Sequence, residues 1–225
     1  MIAVNGDLSR RVHLCSDEMD WVPSPGGEVL RKRLHLVGTP EGGEVTSLVR
    51  YPPGAVFPPH PHPGGEEILV LEGLFSDAGG DWPAGSYLLN PEGFEHAPSS
   101  EPGCLLFVKL RQYPGSRRQW ALDTGAMDWQ TGTLPGVELK WLYRDDGYPE
   151  TMRLERWAPG TLPEPRAYPG GVEVLVLEGS FNDEQAEYGR YDWLRLPAGA
   201  SHRPASRDGC VLYIKENGLG GLTAG

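Results

Sequence analysis

The sequence predicts an all-β protein made of two tandem copies of one domain, and three observations lead there. Laid over itself at an offset of 106 residues, the chain repeats without a gap through most of each half. Its 31 glycines and 22 prolines are scattered rather than periodic, which marks many turns. Between them stand apolar runs of strand length: EEILVLEG, SYLLN, CLLFVKL, VEVLVLEG and CVLYIKE. No 3.6-residue period persists long enough to argue a helix of any length, although short helices near Asp17 or Asp123 are compatible with the pattern.

The repeat is read residue by residue. Pro53-Gly54 matches Pro159-Gly160, and Pro63-Gly64-Gly65 matches Pro169-Gly170-Gly171. Leu69 to Gly73 matches Leu175 to Gly179, Phe75 and Asp77 match Phe181 and Asp183, and Gly103-Cys104 matches Gly209-Cys210. Pro91, Gly93 and His96 meet Pro197, Gly199 and His202. Upstream, Met19-Asp20-Trp21 recurs as Met127-Asp128-Trp129 at a slightly larger offset, so a short insertion lies between. Solenoid units run to about 20–50 residues, so a repeat this long is a whole domain. The seam falls between Gly115 and Leu122, giving domains 1–115 and 116–225. Each is expected to hold roughly ten short strands closed into a double-sheet jelly roll or barrel.

Composition narrows the function. A net charge of −11 repels phosphate backbones and argues against nucleic acid as a partner. No apolar run reaches the ~18 residues of a membrane span, and the polar start MIAVNGDLSRRVHL lacks the core of a signal peptide. Cys15, Cys104 and Cys210 are odd in number, far apart and free of any CxxC pair, which points to the reducing cytoplasm. Cys104 and Cys210 sit in apolar runs and read as small hydrophobes of core strands.

The chemistry concentrates in the first copy, in GAVFPPHPHPGGEEILVLEG. Side chains two apart on an extended segment share a face, so His60 and His62 can converge on one ion. Glu66 follows the Pro63-Gly64-Gly65 turn and can close a third corner, and His96 returns after the Pro91–Gly93 turn. Three imidazoles and a carboxylate suit zinc, iron, manganese, nickel or copper. Glu67 is the alternative carboxylate. The second copy keeps Glu173 opposite Glu67 but has Val172 opposite Glu66, which favours Glu66 as the ligand and leaves Glu67 as the alternative.

These segments resemble the two motifs of the cupins, G-x5-HxH-x3-4-E-x6-G and G-x5-PxG-xx-H, with Ser100 where the second usually ends in Asn. The phrases GGEE-x-LVLEG-x-F-x-D and PxGxxHxPxSxxGC resemble more narrowly the cupins of ChrR-type anti-sigma factors and of acetylacetone dioxygenase-like proteins. The resemblance implies two tandem cupin jelly rolls and one divalent transition metal on His60, His62, Glu66 and His96. Zinc is the first expectation, with iron, nickel and manganese as alternatives.

The second copy has lost that set: Arg166, Tyr168 and Val172 replace His60, His62 and Glu66, and only His202 remains. Guanidinium offers no lone pair to a metal, so this domain reads as a metal-free scaffold. Arg166, Tyr168 and His202 could alternatively line a pocket for an anionic ligand. The tryptophans read as packing residues, Glu95 as pointing away from His96, and Arg111, Arg117 and Arg118 as solvated charges.

Two functions follow from the resemblance. One is a metal-binding regulatory module with a small-molecule ligand and, as a further partner, a sigma factor. The H-x3-C-x2-C motif that grips sigma factors in such proteins is missing here. The other is a metal-dependent dioxygenase acting on a small dicarbonyl or phenolic substrate. No catalytic base separate from the ligands can be named, and the assembly is expected to be a monomer or a homodimer.

Overall fold

A computed structural model of the chain describes residues 2–24, 28–39, 42–162 and 164–219. Its described residues are almost entirely strand and turn, as the sequence predicts. The helices are single 3₁₀ turns at Ser16–Glu18 and Thr124–Ala126, at the two places where the pattern allowed them. No helix is long and apolar enough to cross a membrane.

Two compact units divide the chain, one of Met1–Gly6 with Met19–Ala126, the other of Asp7–Glu18 with Met127–Gly225. In the first, antiparallel strands run in the order Ile2–Val4, Leu30–Gly38, Glu44–Tyr51, Cys104–Leu110, Glu66–Asp77, Ser86–Asn90 and Trp120–Asp123. In the second the order is Gln130–Thr131, Val137–Tyr143, Thr151–Trp157, Cys210–Glu216, Val172–Gly179, Trp193–Leu196 and Val12–Leu14. The inner five strands correspond at the repeat offset. The outer strand does not: Trp120–Asp123 and Val12–Leu14 each open a sequence repeat, yet each completes a sheet built from the other repeat. Repeat and compact unit are therefore different partitions of the chain.

Alternation along the strands builds each core. In the first unit Val49, Tyr51, Ile68, Val70, Leu106 and Val108 pack inward with Phe57 and Phe75. In the second, Val172, Val174, Val176, Leu212 and Ile214 pack with Trp157, Phe181 and Tyr188. Cys104 and Cys210 are buried members of these cores, as their apolar contexts indicate. The glycine ending each LVLEG phrase is dictated by space. Gly73 has φ +77° and a side chain there would meet the Gly103 carbonyl oxygen at 2.0 Å; Gly179 repeats this against Gly209 at 2.2 Å. Each pairs with a cysteine, Cys104 or Cys210, just beyond the point where the two strands shift register. Trp21 and Trp129 do pack, each under a Lys and an Arg: Lys32 and Arg50 over the first, Lys140 and Arg156 over the second.

Candidate metal centre

His60 and His62 lie on a three-residue strand that pairs with Phe94–His96, placing His60 opposite His96. Glu66 heads the long strand that follows, one turn beyond. The ring nitrogens of the three histidines can all lie within 4.8 Å of one another. His62 Nε2 stands 3.0 Å from His96 Nε2, and Glu66 Oε2 stands 3.4 Å from the first and 3.5 Å from the second. Around an ion with bonds of about 2.1 Å, donors at right angles sit about 3.0 Å apart and tetrahedral donors about 3.4 Å apart. The spacings among His62, Glu66 and His96 match that range, and His60 lies within 4.8 Å of the other two histidines, so the donor set is of a kind that fits a metal ion.

Electrostatics agree. His62, His96 and Glu66 are only 5%, 4% and 5% exposed, too buried for a ligand set to be an accident of the surface. Burial, with His96 and His60 nearby, pushes the His62 imidazole down to about 3 and keeps it neutral, the form that ligates. Burial pushes the Glu66 carboxyl up, against the pull of His96 and Asn90. Glu67 points to the other face, where it accepts a hydrogen bond from the Tyr113 hydroxyl. It sits opposite Lys109, as Glu173 sits opposite Lys215 in the second unit. The carboxylate facing the histidines is thus Glu66, and alternation along one strand is the reason.

Three of the four donors are also held from behind. His60 Nδ1 donates to the Pro58 carbonyl at 2.8 Å, which leaves Nε2 with its lone pair. His96 Nδ1 donates to Asp77 Oδ2 at 2.9 Å, and Asp77 Oδ1 accepts from Gly79 N and Trp82 Nε1. Burial lowers the affinity of His96 for a proton, but Asp77 and Glu66 outweigh it and the ring ends raised. Asn90 donates to Glu66 at 3.1 Å and takes a bond from Gln119. Sequence reasoning passed over Asp77 and Asn90. Asp77 had left a signal, since Asp77 with His96 recurs as Asp183 with His202. Replacing Asp77 with asparagine is expected to lower metal affinity about 10–100-fold with the fold intact, because the partner that orients His96 and makes it basic is lost. Competition against a chromophoric chelator would measure this; an unchanged affinity would remove Asp77 from the site.

The donors line a cavity of about 90 Å³, together with Tyr51, Phe57, Ile68, Phe75 and Leu106 among others. Arg31 and Arg111 also line it. Arg111, near the seam, is half-buried: its backbone N bonds Gly65 O, and its guanidinium donates to the Pro63 carbonyl at 3.4 Å.

One family model, that of the ChrR cupin-like domain, matches this chain twice, over residues 9–114 and 117–219. The chain belongs to the ChrR cupin-like family. Solved structures share its fold along nearly the whole chain. A candidate dioxygenase from Nostoc punctiforme is 15% identical, with 94% of this chain and 84% of that one covered and a TM-score of 0.78. YlbA from Escherichia coli is 16% identical over 96% and 94%, with a TM-score of 0.73. A variant of oxalate decarboxylase OxdC from Bacillus subtilis is 13% identical over 95% and 78%, with a TM-score of 0.65. No curated protein sequence matches.

The second ChrR-like repeat has filled its histidine positions with an ion cluster. Arg166, in the place of His60, forks onto Glu155 at 2.7 and 2.9 Å. Glu155 also accepts from Arg153 Nε and Trp157 Nε1. The guanidinium that might have received an anionic ligand is occupied by this internal carboxylate. His202 keeps its aspartate, Asp183, which Arg11 and Tyr188 also hold, and its other nitrogen faces the Tyr168 hydroxyl at 3.2 Å.

Proposed function

We propose that the first ChrR-like cupin holds one divalent transition metal through His60, His62, Glu66 and His96, and that the chain works as a metal-dependent regulatory module reading a small molecule beside that ion. The second cupin serves as its metal-free companion. The observation that carries this reading is the approach of three imidazoles and one carboxylate in the lining of a cavity, with His60, Glu66 and His96 each oriented by a second group. A bound ion would supply a Lewis-acidic position for a ligand oxygen. The protein's own part is to keep His62 neutral, to fix the tautomers of His60 and His96, and to surround the ligand with apolar wall.

Zinc is the proposed ion, and three free cysteines fit a cytoplasmic site of action. The sequence has no H-x3-C-x2-C motif, so the regulatory reading does not require a sigma factor. A second reading, a metal-dependent dioxygenase on a small dicarbonyl or phenolic substrate, is favoured by the cavity itself: all four donors line it, so an ion held by them would border open space. Element-resolved analysis of protein purified without added metal separates the two. Stoichiometric zinc is expected and disfavours redox chemistry, since zinc does not change oxidation state; stoichiometric iron would replace the first reading with the second.

A further inference from the structure

Two cations stand in the wall of the first cavity among residues that are otherwise apolar or metal-facing. Arg31 comes from the strand Leu30–Gly38 and Arg111 from just past Cys104–Leu110. Among the described lining residues Glu66 is the carboxylate, and the two guanidiniums also donate outside it, Arg31 Nε to Ser24 Oγ at 3.1 Å and Arg111 to the Pro63 carbonyl at 3.4 Å.

The second barrel shows that the fold itself does not call for these arginines. Arg31 pairs with Val49, and Leu139 pairs with Glu155, the residue at the place of Val49, so Leu139 holds the position of Arg31. Asn217 holds the position of Arg111, and both backbones are left-handed there, with φ of +61° and +60°. Asparagine suits that conformation and arginine does not. A long cationic side chain kept on unfavourable backbone points to a use for the guanidinium rather than for the turn. The charge pattern is also reversed between the copies. The second barrel places Glu155 and Glu216 against its buried arginines Arg153 and Arg166. The first has Val49 and Leu110 at those two positions, both on the cavity wall.

We propose that Arg31 and Arg111 form an anion site beside the metal centre, and that the small molecule taken there is a carboxylate with a neighbouring oxygen donor, of the 2-oxo acid class. The carboxylate meets the guanidiniums, and the second oxygen lies toward His60, His62, Glu66 and His96. Only that second contact rests on the proposed metal; the anion preference does not. The cavity of about 90 Å³ restricts the ligand to a few heavy atoms.

The test is calorimetric titration of pyruvate, and of its neutral isostere pyruvamide, into the zinc-loaded full chain, with metal content measured on the same samples. Wild type is expected to bind pyruvate at least about tenfold tighter than pyruvamide, the weight of one charge-assisted contact. Arg31→Leu and Arg111→Asn, which copy the second barrel, should each weaken pyruvate about tenfold and leave pyruvamide and metal content unchanged. Arg111→Asn should melt no lower than wild type, because its backbone suits asparagine; Arg31→Lys serves should Arg31→Leu not fold, with an intermediate loss. Equal affinity for the two probes, no binding of either, or a pyruvate preference that survives both substitutions would overturn the anion site. A metal-free protein that still prefers pyruvate would uphold the arginines while ending the metal reading.

Discussion

Changing His60 and His62 together to alanine is expected to take bound metal from about one ion per chain to none detectable. Glu66 and His96 would remain, and two donors do not hold a transition ion against solvent and chelator. The fold should survive. The two histidines lie on a strand of only three residues paired with one equally short strand, outside the seven-strand order of the main sheet. Alanine also removes a buried imidazole that resists protonation down to about pH 3. Added zinc should raise the melting temperature of wild type, since a ligand at a thousand times its Kd stabilises by about 4 kcal/mol. The double variant should show no such rise. Elemental analysis with thermal denaturation at and without added zinc reads both effects, and full metal content in the variant would refute the assignment of these ligands.

In the second barrel, Glu155→Leu is expected to cost about 3–5 kcal/mol, the usual cost of leaving a buried charge without its partner. Glu155 is 2% exposed and accepts from Arg153, Arg166 and Trp157. Leucine leaves Arg166 with only the outlying Glu216, 3.8 Å away. Burial alone would raise the Glu155 carboxyl, but its arginines hold it down at about 2, against an ordinary 4.5. A depressed carboxylate stabilises the fold fully above its unfolded pKa and loses that contribution as pH falls through the folded one. The difference between wild type and variant should therefore be constant above about pH 5 and shrink between there and about pH 2. Adding Arg166→His to the variant should recover part of the loss, since it removes the stranded cation. Urea titration, followed for two transitions because the chain has two units, gives these differences. A Glu155→Leu protein as stable as wild type would show that the cluster contributes nothing.

Much of this was legible in the chain. Glu66 and Glu67 could be ranked because the second repeat keeps a glutamate opposite Glu67 alone, and the structure sends Glu67 to Tyr113 while Glu66 meets the histidines. Asp77 could have been found the same way. Arg31 could not. It stands far upstream of the histidines, leucine replaces it in the other copy, and nothing local distinguishes it from a surface charge. That Arg111 also lines the cavity could not be read either, because a position after an apolar strand and near a repeat seam is where exposed charges gather.

By itself, then, the sequence determined the all-β class, the duplication, and the presence of a donor set in one copy and its loss in the other. Those are properties of alternation, glycine-bounded turns and residue chemistry, all of which act within a few residues. Only the tertiary structure decided which unit each leading strand completes, which acid holds His96, and that two distant arginines line one cavity. Such facts depend on strand pairings made across tens to hundreds of residues, and the register of a distant partner is not written in a segment's own pattern.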